Sequence, residues 1–348
     1  MVNVHTMFAA ARCCSSTATK LLNRRYPLLS SSRPTTSRQT PYSCCYNNFF
    51  SSDIPSSSPP TEPSIDTSAF QTTLSNLAPS ISKSLSTNGY YATSHPYAIF
   101  PKPIIQLMRQ QSIHLRNIGR FEQSYSEKID GISGKVTRFD KQGVLACEPD
   151  GQDYYDAPDL IVYLSVMLST LPDLLNSHSS HSSPQEGESS SSYGLSASSF
   201  NAKLAVTSPG GSVYPLHIDN PQGLSVGDTR KLTCILYMNP DYRDGEDGGE
   251  LRIFSSSSTM TNNNNNEKKD KKNYVVEDIT PEGGRMVLFW SDEIPHEVLP
   301  TAPNADRLDV MRDRYALTVW IPTDDYHTIH NPGSKFAYLG EEAFSKEK

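Results

Sequence analysis

The chain of 348 residues carries 31 basic and 38 acidic side chains, and its net charge of −7 argues against a general nucleic-acid binder. Hydrophobic residues make up 36% of it, less than in most packed domains, so part of the chain must lie outside a core. No run reaches the ~18 apolar residues of a membrane span, which excludes a polytopic membrane protein.

The N-terminal segment, residues 1–66, has the composition of a tail. Residues 1–52 contain six of the basic residues and no acidic one, which is typical of an organelle transit peptide or of a disordered tail without an address. Residues 51–66 are rich in Ser and Pro and indicate a linker. We therefore expect a disordered tail. The protein is placed inside the cell, in the cytoplasm or nucleus, or in the mitochondrion if the tail is a transit peptide.

Helices are predicted between residues 67 and 176. Apolar residues recur every three or four positions from Phe70 to Leu85, although Pro79 predicts a kink. A second helix is predicted over 103–117, and Pro158 suits the first turn of a third. We interpret the apolar faces of these helices as core packing.

Two low-complexity stretches interrupt the body of the chain. Residues 177–199 are rich in Ser and include an HxxH pair, and residues 255–273 contain a run of Asn. Both are polar and bury little surface, so we expect inserted surface loops and no metal site at the HxxH pair. The predicted domain spans 67–330, with a C-terminal tail at 331–348.

The second half of the chain consists of short β-rich runs separated by Gly, Asp, Asn and Pro. They indicate an α+β fold with a double-stranded β-helix (jelly-roll) core at 200–323, buttressed by the N-terminal helices. The runs lie at 203–207, 213–219, 232–238, 250–254, 274–279, 285–290, 296–299 and 314–321.

A candidate metal site lies in the stretch YPLHIDNP. Residues i and i+2 of a strand point to the same side, so His217 and Asp219 can approach one ion. His296 is the candidate third ligand. Two His and one carboxylate form the facial triad of non-heme Fe(II) oxygenases.

Arg314 begins a β-rich run after the candidate metal ligands. An Arg on the inner face of a strand is costly unless it meets an anion, and its planar guanidinium matches a carboxylate. The distal carboxylate of 2-oxoglutarate would be such a partner. The alternative is a surface ion pair.

Six stretches occur in a fixed order: KLAV, YPLHIDNPQG, TCILYMN, GGELRIF, LFWSDEIPHEV and RYALTVW. In this order the chain resembles the Fe(II)/2-oxoglutarate-dependent prolyl 4-hydroxylases, and among them the hypoxia-inducible-factor prolyl hydroxylases of the egl-nine type. The resemblance is strong over 200–323, and over 67–176 it extends only to the layout.

The resemblance implies that the enzyme hydroxylates a peptidyl proline and releases succinate and CO2. Fe(II), 2-oxoglutarate and O2 would be required, with ascorbate as reductant. The partner would be a proline-containing protein or peptide, with no nucleic acid or membrane involved, and the enzyme would be a monomer.

The resemblance also implies roles for single residues. His217, Asp219 and His296 would bind Fe(II). Arg314 and Tyr237 would hold the C5 carboxylate of 2-oxoglutarate. The pocket would be lined by Ile235, Leu251, Val298 and Trp320, with Tyr214 at the substrate entrance.

Three features depart from this family. Ser208 stands where the family usually has Tyr, and about nine extra residues lie around 302–312. Arg312 is therefore a rival to Arg314 that strand alternation cannot separate, although the YALTVW context favours Arg314. The substrate-covering segment of the family corresponds only loosely to 126–140.

Two other functions stay open at this point. One is a 2-oxoglutarate oxygenase that acts on another residue, a small molecule or a nucleobase. The other is a non-catalytic jelly-roll binding module. Succinate release separates an enzyme from a module, and mass spectrometry of proline peptides separates the two enzymes.

Overall fold

The computed structural model describes residues 63–129, 136–179, 192–256 and 274–329. These residues fall within one unit that begins at Thr61. The predicted tails at 1–66 and 331–348 lie outside the described residues except for 63–66. The middle of the predicted insertion at 177–199, residues 180–191, and most of the one at 255–273, residues 257–273, lie outside them too.

Within the described residues, three α-helices precede the β-rich half, as predicted. Helix α1 spans Thr67–Asn88 and continues through Pro79, α2 spans Lys102–Asn117, and α3 spans Pro158–Ser179. Asp66 caps α1 by accepting hydrogen bonds from two backbone N–H groups of its first turn, which would otherwise lack partners. Gly89 ends α1 in the left-handed conformation that favours glycine, with φ of 80°.

Eleven strands among the described residues form two sheets in which each pairing is antiparallel. The larger sheet has the order β1-β9-β6-β11-β4-β3-β2, and the smaller has the order β5-β10-β7-β8. The strands are β1 Tyr90–Ala92, β2 Glu122–Ile129, β3 Val136–Cys147, β4 Asn201–Thr207, β5 Ser212–His217, β6 Arg230–Tyr237, β7 Leu251–Ser256, β8 Tyr274–Ile279, β9 Met286–Trp290, β10 His296–Thr301 and β11 Arg314–Pro322.

The predicted jelly roll is confirmed, and each of the eight predicted β runs contains a strand. Strands β9, β6 and β11 are neighbours in the larger sheet, and most of their residues are buried. The helices pack behind this sheet: the indole Nε1 of Trp290 in β9 donates to the Leu85 carbonyl of α1 at 3.1 Å. The space between the two sheets is left for the candidate site.

The prediction that 67–176 is a helical support needs a correction. Strands β2 and β3 form a hairpin in this region, and β3 pairs with β4 at the edge of the larger sheet. The hairpin includes much of 126–140, the segment likened to a substrate cover. Its strands carry charged and polar residues at most positions, so they show neither the helical nor the strand hydrophobic period.

The prediction of a solvated loop over 177–199 is also wrong at both ends. Helix α3 continues to Ser179, and residues after the gap return to the core. Leu195 and Ser196 are buried, and Leu195 forms a β-bridge with Thr323. The Ser-rich composition did not predict this contact, because a β-bridge is formed by backbone groups rather than by apolar side chains.

Helix α3 is long and apolar enough to cross a membrane by length and composition, yet more than half of its apolar window is buried inside the protein. Its Tyr163 ring lies in an aromatic cluster with Phe70 and Phe100, at centroid distances of 5.7 and 6.2 Å. These contacts are those of a core helix.

Candidate active site

Three candidate metal ligands converge between the two sheets. His217 ends β5, His296 begins β10, and the two residues are paired across the smaller sheet, while Asp219 follows β5 by two positions. The Nε2 atoms of His217 and His296 lie 3.6 and 3.8 Å from Oδ1 of Asp219. The candidate ligand atoms all lie within 4.8 Å of one another. The structure thus brings together the three residues that the sequence singled out.

Backbone carbonyls orient both imidazole rings. Nδ1 of His217 lies 2.8 Å from the Pro215 carbonyl oxygen, and Nδ1 of His296 lies 3.0 Å from that of Ile294. A ring that donates through Nδ1 presents the lone pair of Nε2, which is the arrangement of a metal-binding histidine. Both lone pairs are therefore directed to the space beside Asp219.

The carboxylate of Asp219 is held from the opposite sheet. Its Oδ2 accepts hydrogen bonds from Thr233 Oγ1 at 2.7 Å and from Trp320 Nε1 at 2.9 Å. These two donors leave Oδ1 directed at the imidazoles. Trp320 was predicted only to line the pocket, and its hydrogen bond gives it a second role in positioning this ligand.

The same surroundings set the protonation states. Burial by itself raises the pKa of Asp219, but the His217 hydrogen bond and the charges of both imidazoles lower this pKa well below its usual range. Burial lowers the pKa of His296 to about 4, His217 acts in the same direction, and Asp219 opposes them. At neutral pH the site therefore holds an ionised carboxylate beside a neutral imidazole, the protonation states in which these groups bind metal.

Arg314, at the start of β11, lies inside the protein and is only 7% exposed. Its Nε donates to the Gly249 carbonyl at 2.9 Å, and its guanidinium carbon lies 4.9 Å from the centre of the Tyr237 ring. Among the described side chains no carboxylate lies within 4.0 Å of it. A buried guanidinium with unused donors suits an anionic ligand.

The rival Arg312 has different surroundings. It lies in the short helical turn Val310–Arg312 before β11, and its side chain is partly exposed to solvent. Its guanidinium faces Glu246, Asp247 and Asp309 at 3.5 to 3.6 Å. The structure therefore places Arg314 in the interior and Arg312 in a surface ion network.

Tyr237 offers a second group next to Arg314. Its hydroxyl is buried and has no hydrogen-bond partner among the described residues, which is costly unless a ligand supplies one. Burial raises the pKa of Tyr237, so the hydroxyl stays a neutral donor.

The predicted pocket residues lie on both sheets. Ile235 on β6 and Trp320 on β11 come from the larger sheet, whereas Leu251 and Val298 are paired across the smaller one. Ile235, Leu251 and Val298 are buried. Tyr214 lies opposite Val298 on β5 and is only partly buried, consistent with its predicted place at an entrance.

Ser208 lies in the turn after β4, and its N–H donates to the Gly143 carbonyl at 2.7 Å. Gly143 belongs to the irregular part of β3, which therefore packs against the position where the family usually has Tyr.

Sequence reasoning missed Thr233, whose hydroxyl binds Asp219 and lies 2.7 Å from Ser291 Oγ. A signal was present: Thr233, Ile235 and Tyr237 alternate along β6 and share one face of the sheet. It also missed Lys141 on β3, whose Nζ lies 4.3 Å from the centre of the Tyr214 ring, and Lys203 on the neighbouring β4.

The residues present fit an iron ion with 2-oxoglutarate. Two imidazole nitrogens and one carboxylate oxygen on one side leave the other coordination positions open, as in facial-triad iron sites. The unpaired guanidinium of Arg314 and the unpartnered hydroxyl of Tyr237 match a carboxylate group of a bound dicarboxylate.

Comparison with known proteins agrees with this geometry. Residues 202–322 match the model of the 2OG-Fe(II) oxygenase superfamily. Over 120 residues, or 34% of the chain, it is 37% identical to the hypoxia-inducible factor prolyl hydroxylase of Caenorhabditis elegans and 36% identical to Egl nine homolog 1 of Homo sapiens. The matched segment spans only 13% and 22% of the lengths of these relatives.

Solved structures with a similar course of the chain include two prolyl hydroxylases. One is a Pseudomonas putida prolyl-4-hydroxylase, with 23% identity, a TM-score of 0.47 and coverage of 71% of this chain and 99% of the other. The second is a Trichoplax adhaerens prolyl hydroxylase in complex with a peptide fragment of the hypoxia inducible factor oxygen degradation domain. It has 23% identity, a TM-score of 0.49 and coverage of 76% and 96%.

The superfamily implies Fe(II), 2-oxoglutarate and O2, and the described residues contain a His-Asp-His site for the metal. The jelly roll, the convergent triad and the match over residues 202–322 agree with one another. Residues 202–322 thus match a 2OG-Fe(II) oxygenase domain.

Proposed function

We propose that this protein is an Fe(II)- and 2-oxoglutarate-dependent prolyl 4-hydroxylase that hydroxylates a proline within a protein or peptide. The observation that carries the proposal is the convergence of His217, Asp219 and His296 between sheets that also bury the unpaired Arg314. The choice of proline rests on similarity to curated prolyl hydroxylases over 120 residues.

The bound iron, with O2, supplies the oxidising chemistry that inserts one oxygen atom into a C–H bond while 2-oxoglutarate becomes succinate and CO2. The chain itself holds the reactants. Arg314 and Tyr237 bind the distal carboxylate of 2-oxoglutarate through charge-assisted hydrogen bonds, which orients its other end toward the triad.

Other residues keep the site in its binding geometry. Thr233 and Trp320 fix the Asp219 carboxylate, so only small movements are needed to bind the metal. The buried side chains of Ile235, Leu251 and Val298 exclude water from the space beside it.

The test is to load purified protein with Fe(II) and to measure succinate from 2-oxoglutarate, together with a +16 Da change on proline peptides. His217→Ala and Asp219→Ala should abolish succinate formation both with and without peptide. His114→Ala is the matched control, because His114 lies outside the site and pairs with Asp156 at the surface.

Each outcome has one meaning. Succinate with hydroxyproline supports the proposal. Succinate without hydroxyproline in any peptide would mean an oxygenase with another substrate, and no succinate in the wild type would mean a binding module. Turnover that persists in either triad variant would refute the metal ligands.

The proposal extends to ascorbate as reductant and to a monomeric enzyme. It also places the enzyme inside the cell, in the cytoplasm, the nucleus or, if residues 1–66 direct it there, the mitochondrion. The two buried cysteines Cys147 and Cys234 are unpaired, which supports a reducing compartment. Imaging of the full chain and of a chain without residues 1–66 would decide whether this segment carries an address.

A further inference from the structure

Two lysines lie beside the candidate active site and have no role in the chemistry above. Lys141 on β3 holds its Nζ 4.3 Å from the centre of the Tyr214 ring. Lys203 on β4 donates from its Nζ to Ser124 Oγ at 3.0 Å. Both side chains are partly buried, and we call Lys141 and Lys203 the lysine pair.

The lysine pair lacks acidic partners among the described side chains. No described carboxylate lies within 4.0 Å of either ammonium group, although Asp219 attracts both charges from farther away and Glu148 attracts that of Lys203. Burial and the nearby charge of Lys203 lower the pKa of Lys141 to about 8. Two partly buried cations that no described carboxylate contacts are unfavourable, so this arrangement suits a ligand that brings an anion.

The lysine pair lies near the place where a substrate would meet the metal. The ammonium group of Lys141 lies over the ring of Tyr214. Tyr214 precedes the candidate ligand His217 by three residues, a distance of about 10 Å along an extended strand. An extended peptide covers a similar distance in about three residues. A peptide with its proline at the metal can therefore place a neighbouring side chain at the lysine pair.

We propose that the lysine pair binds a carboxylate of the peptide substrate, so that the enzyme selects a proline with Asp or Glu within about three residues. This inference rests on the proposed function and names its substrate class. The distal carboxylate of 2-oxoglutarate already has Arg314 and Tyr237 as partners, which leaves the lysine pair for a second anion.

The test measures binding apart from turnover. Proline-centred peptides carry Asp, Asn or Lys at single positions close to the proline, and their dissociation constants are measured with Fe(II) and 2-oxoglutarate in the absence of O2. The wild type should bind the best Asp peptide about tenfold more tightly than its Asn counterpart, as expected for a charge-assisted hydrogen bond. Lys141→Met and Lys203→Met should each reduce this preference.

Charge exchange gives a sharper readout than loss of a side chain. Lys141→Glu should favour the Lys peptide over the Asp peptide, whereas Lys141→Arg should keep the original preference. Lys102→Met is the control, because Lys102 is exposed and pairs with Asp241 at the surface. Circular dichroism identifies any variant that fails to fold, and the remaining lysine variant then carries the test.

Two outcomes would overturn the inference. Equal binding of Asp and Asn peptides by the wild type would show that the enzyme does not recognise a carboxylate of the substrate. An unchanged peptide preference in Lys141→Glu, with a higher dissociation constant for 2-oxoglutarate, would assign the lysine to the cosubstrate. Both results leave the proposed function intact, because succinate and hydroxyproline are measured separately.

Discussion

Two arginines that stand two residues apart, Arg312 and Arg314, meet opposite surroundings. Arg312 is neutralised by three surface carboxylates, whereas Arg314 is buried and, within the described part of the chain, donates to a backbone carbonyl and to no carboxylate. Both carry the same charge, so only the presence or absence of an acid decides which one is available to an anionic ligand.

Arg314→Ala should raise the apparent KM for 2-oxoglutarate by roughly 10- to 100-fold, because it removes charge-assisted hydrogen bonds to a carboxylate. Arg312→Ala should leave this KM within about twofold, because surface ion pairs contribute little. Succinate release against cosubstrate concentration measures both. A larger rise in this KM in Arg312→Ala than in Arg314→Ala would mean that Arg312 binds the cosubstrate.

Trp320→Phe should weaken metal binding about tenfold, the usual cost of removing a group that orients a metal ligand. The variant keeps an aromatic ring but loses the Nε1 hydrogen bond to Asp219. Calorimetric titration with Mn(II) measures the affinity. Trp290→Phe is the control, since the indole of Trp290 binds the Leu85 carbonyl instead, and equal losses in the two variants would contradict the prediction.

At the scale of secondary-structure elements, a buried carboxylate joins the helices. Asp159, in the first turn of α3, accepts hydrogen bonds from Gln111 of α2 at 2.7 Å and from the N–H groups of Ser64 and Ile65 at 2.7 and 2.8 Å. It is fully buried, so its oxygens depend on these donors for hydrogen bonds. One side chain thereby fixes the segment before α1 against the other two helices.

Asp159→Ala should lower the free energy of unfolding by about 3 kcal/mol, because it leaves several buried donors without an acceptor. Asp173→Ala, at an exposed position of the same helix, should change it by less than about 0.5 kcal/mol. Urea denaturation of both variants measures the difference. A loss in Asp159→Ala no larger than that in Asp173→Ala would show that the buried contacts are dispensable.

At the scale of the whole molecule, the candidate site joins segments that are far apart in sequence. Its residues come from β5 and the segment just after it and from β6, β7, β10 and β11, and the lysine pair comes from β3 and β4. The site therefore exists only when both sheets are formed and packed. Ligands that bind it bind the folded state alone and must stabilise the entire domain.

Mn(II) at about 100 times its dissociation constant should stabilise the metal-free protein by about 2.7 kcal/mol. For a domain of this size that corresponds to a rise in Tm of roughly 5–10 °C. 2-Oxoglutarate should add a further rise only when the metal is present, because the triad and Arg314 hold opposite ends of it. Differential scanning calorimetry with and without EDTA measures both shifts, and a cosubstrate effect independent of metal would contradict the geometry.

Much of the jelly roll was predictable because its strands alternate with turns and carry β-branched and aromatic residues. The hairpin of β2 and β3 was not predictable, because its strands are polar and show no alternation of apolar residues. It is held in the sheet by the pairing of β3 with β4. The buried stretch around Leu195 was missed for a similar reason: backbone pairing with Thr323 leaves little trace in composition.

The sequence by itself determined the candidate ligands. The two-residue spacing of His217 and Asp219 predicted that both approach one ion, although Asp219 lies just beyond the end of β5, and the order of motifs pointed to His296 and Arg314. Only the tertiary structure decided which arginine is buried, that Thr233 and Trp320 hold Asp219, and that Lys141 lies against Tyr214 with Lys203 on the neighbouring strand. The physical reason is that alternation along one strand records a local direction, whereas burial, charge neutralisation and hydrogen bonds between sheets depend on residues far away in the chain.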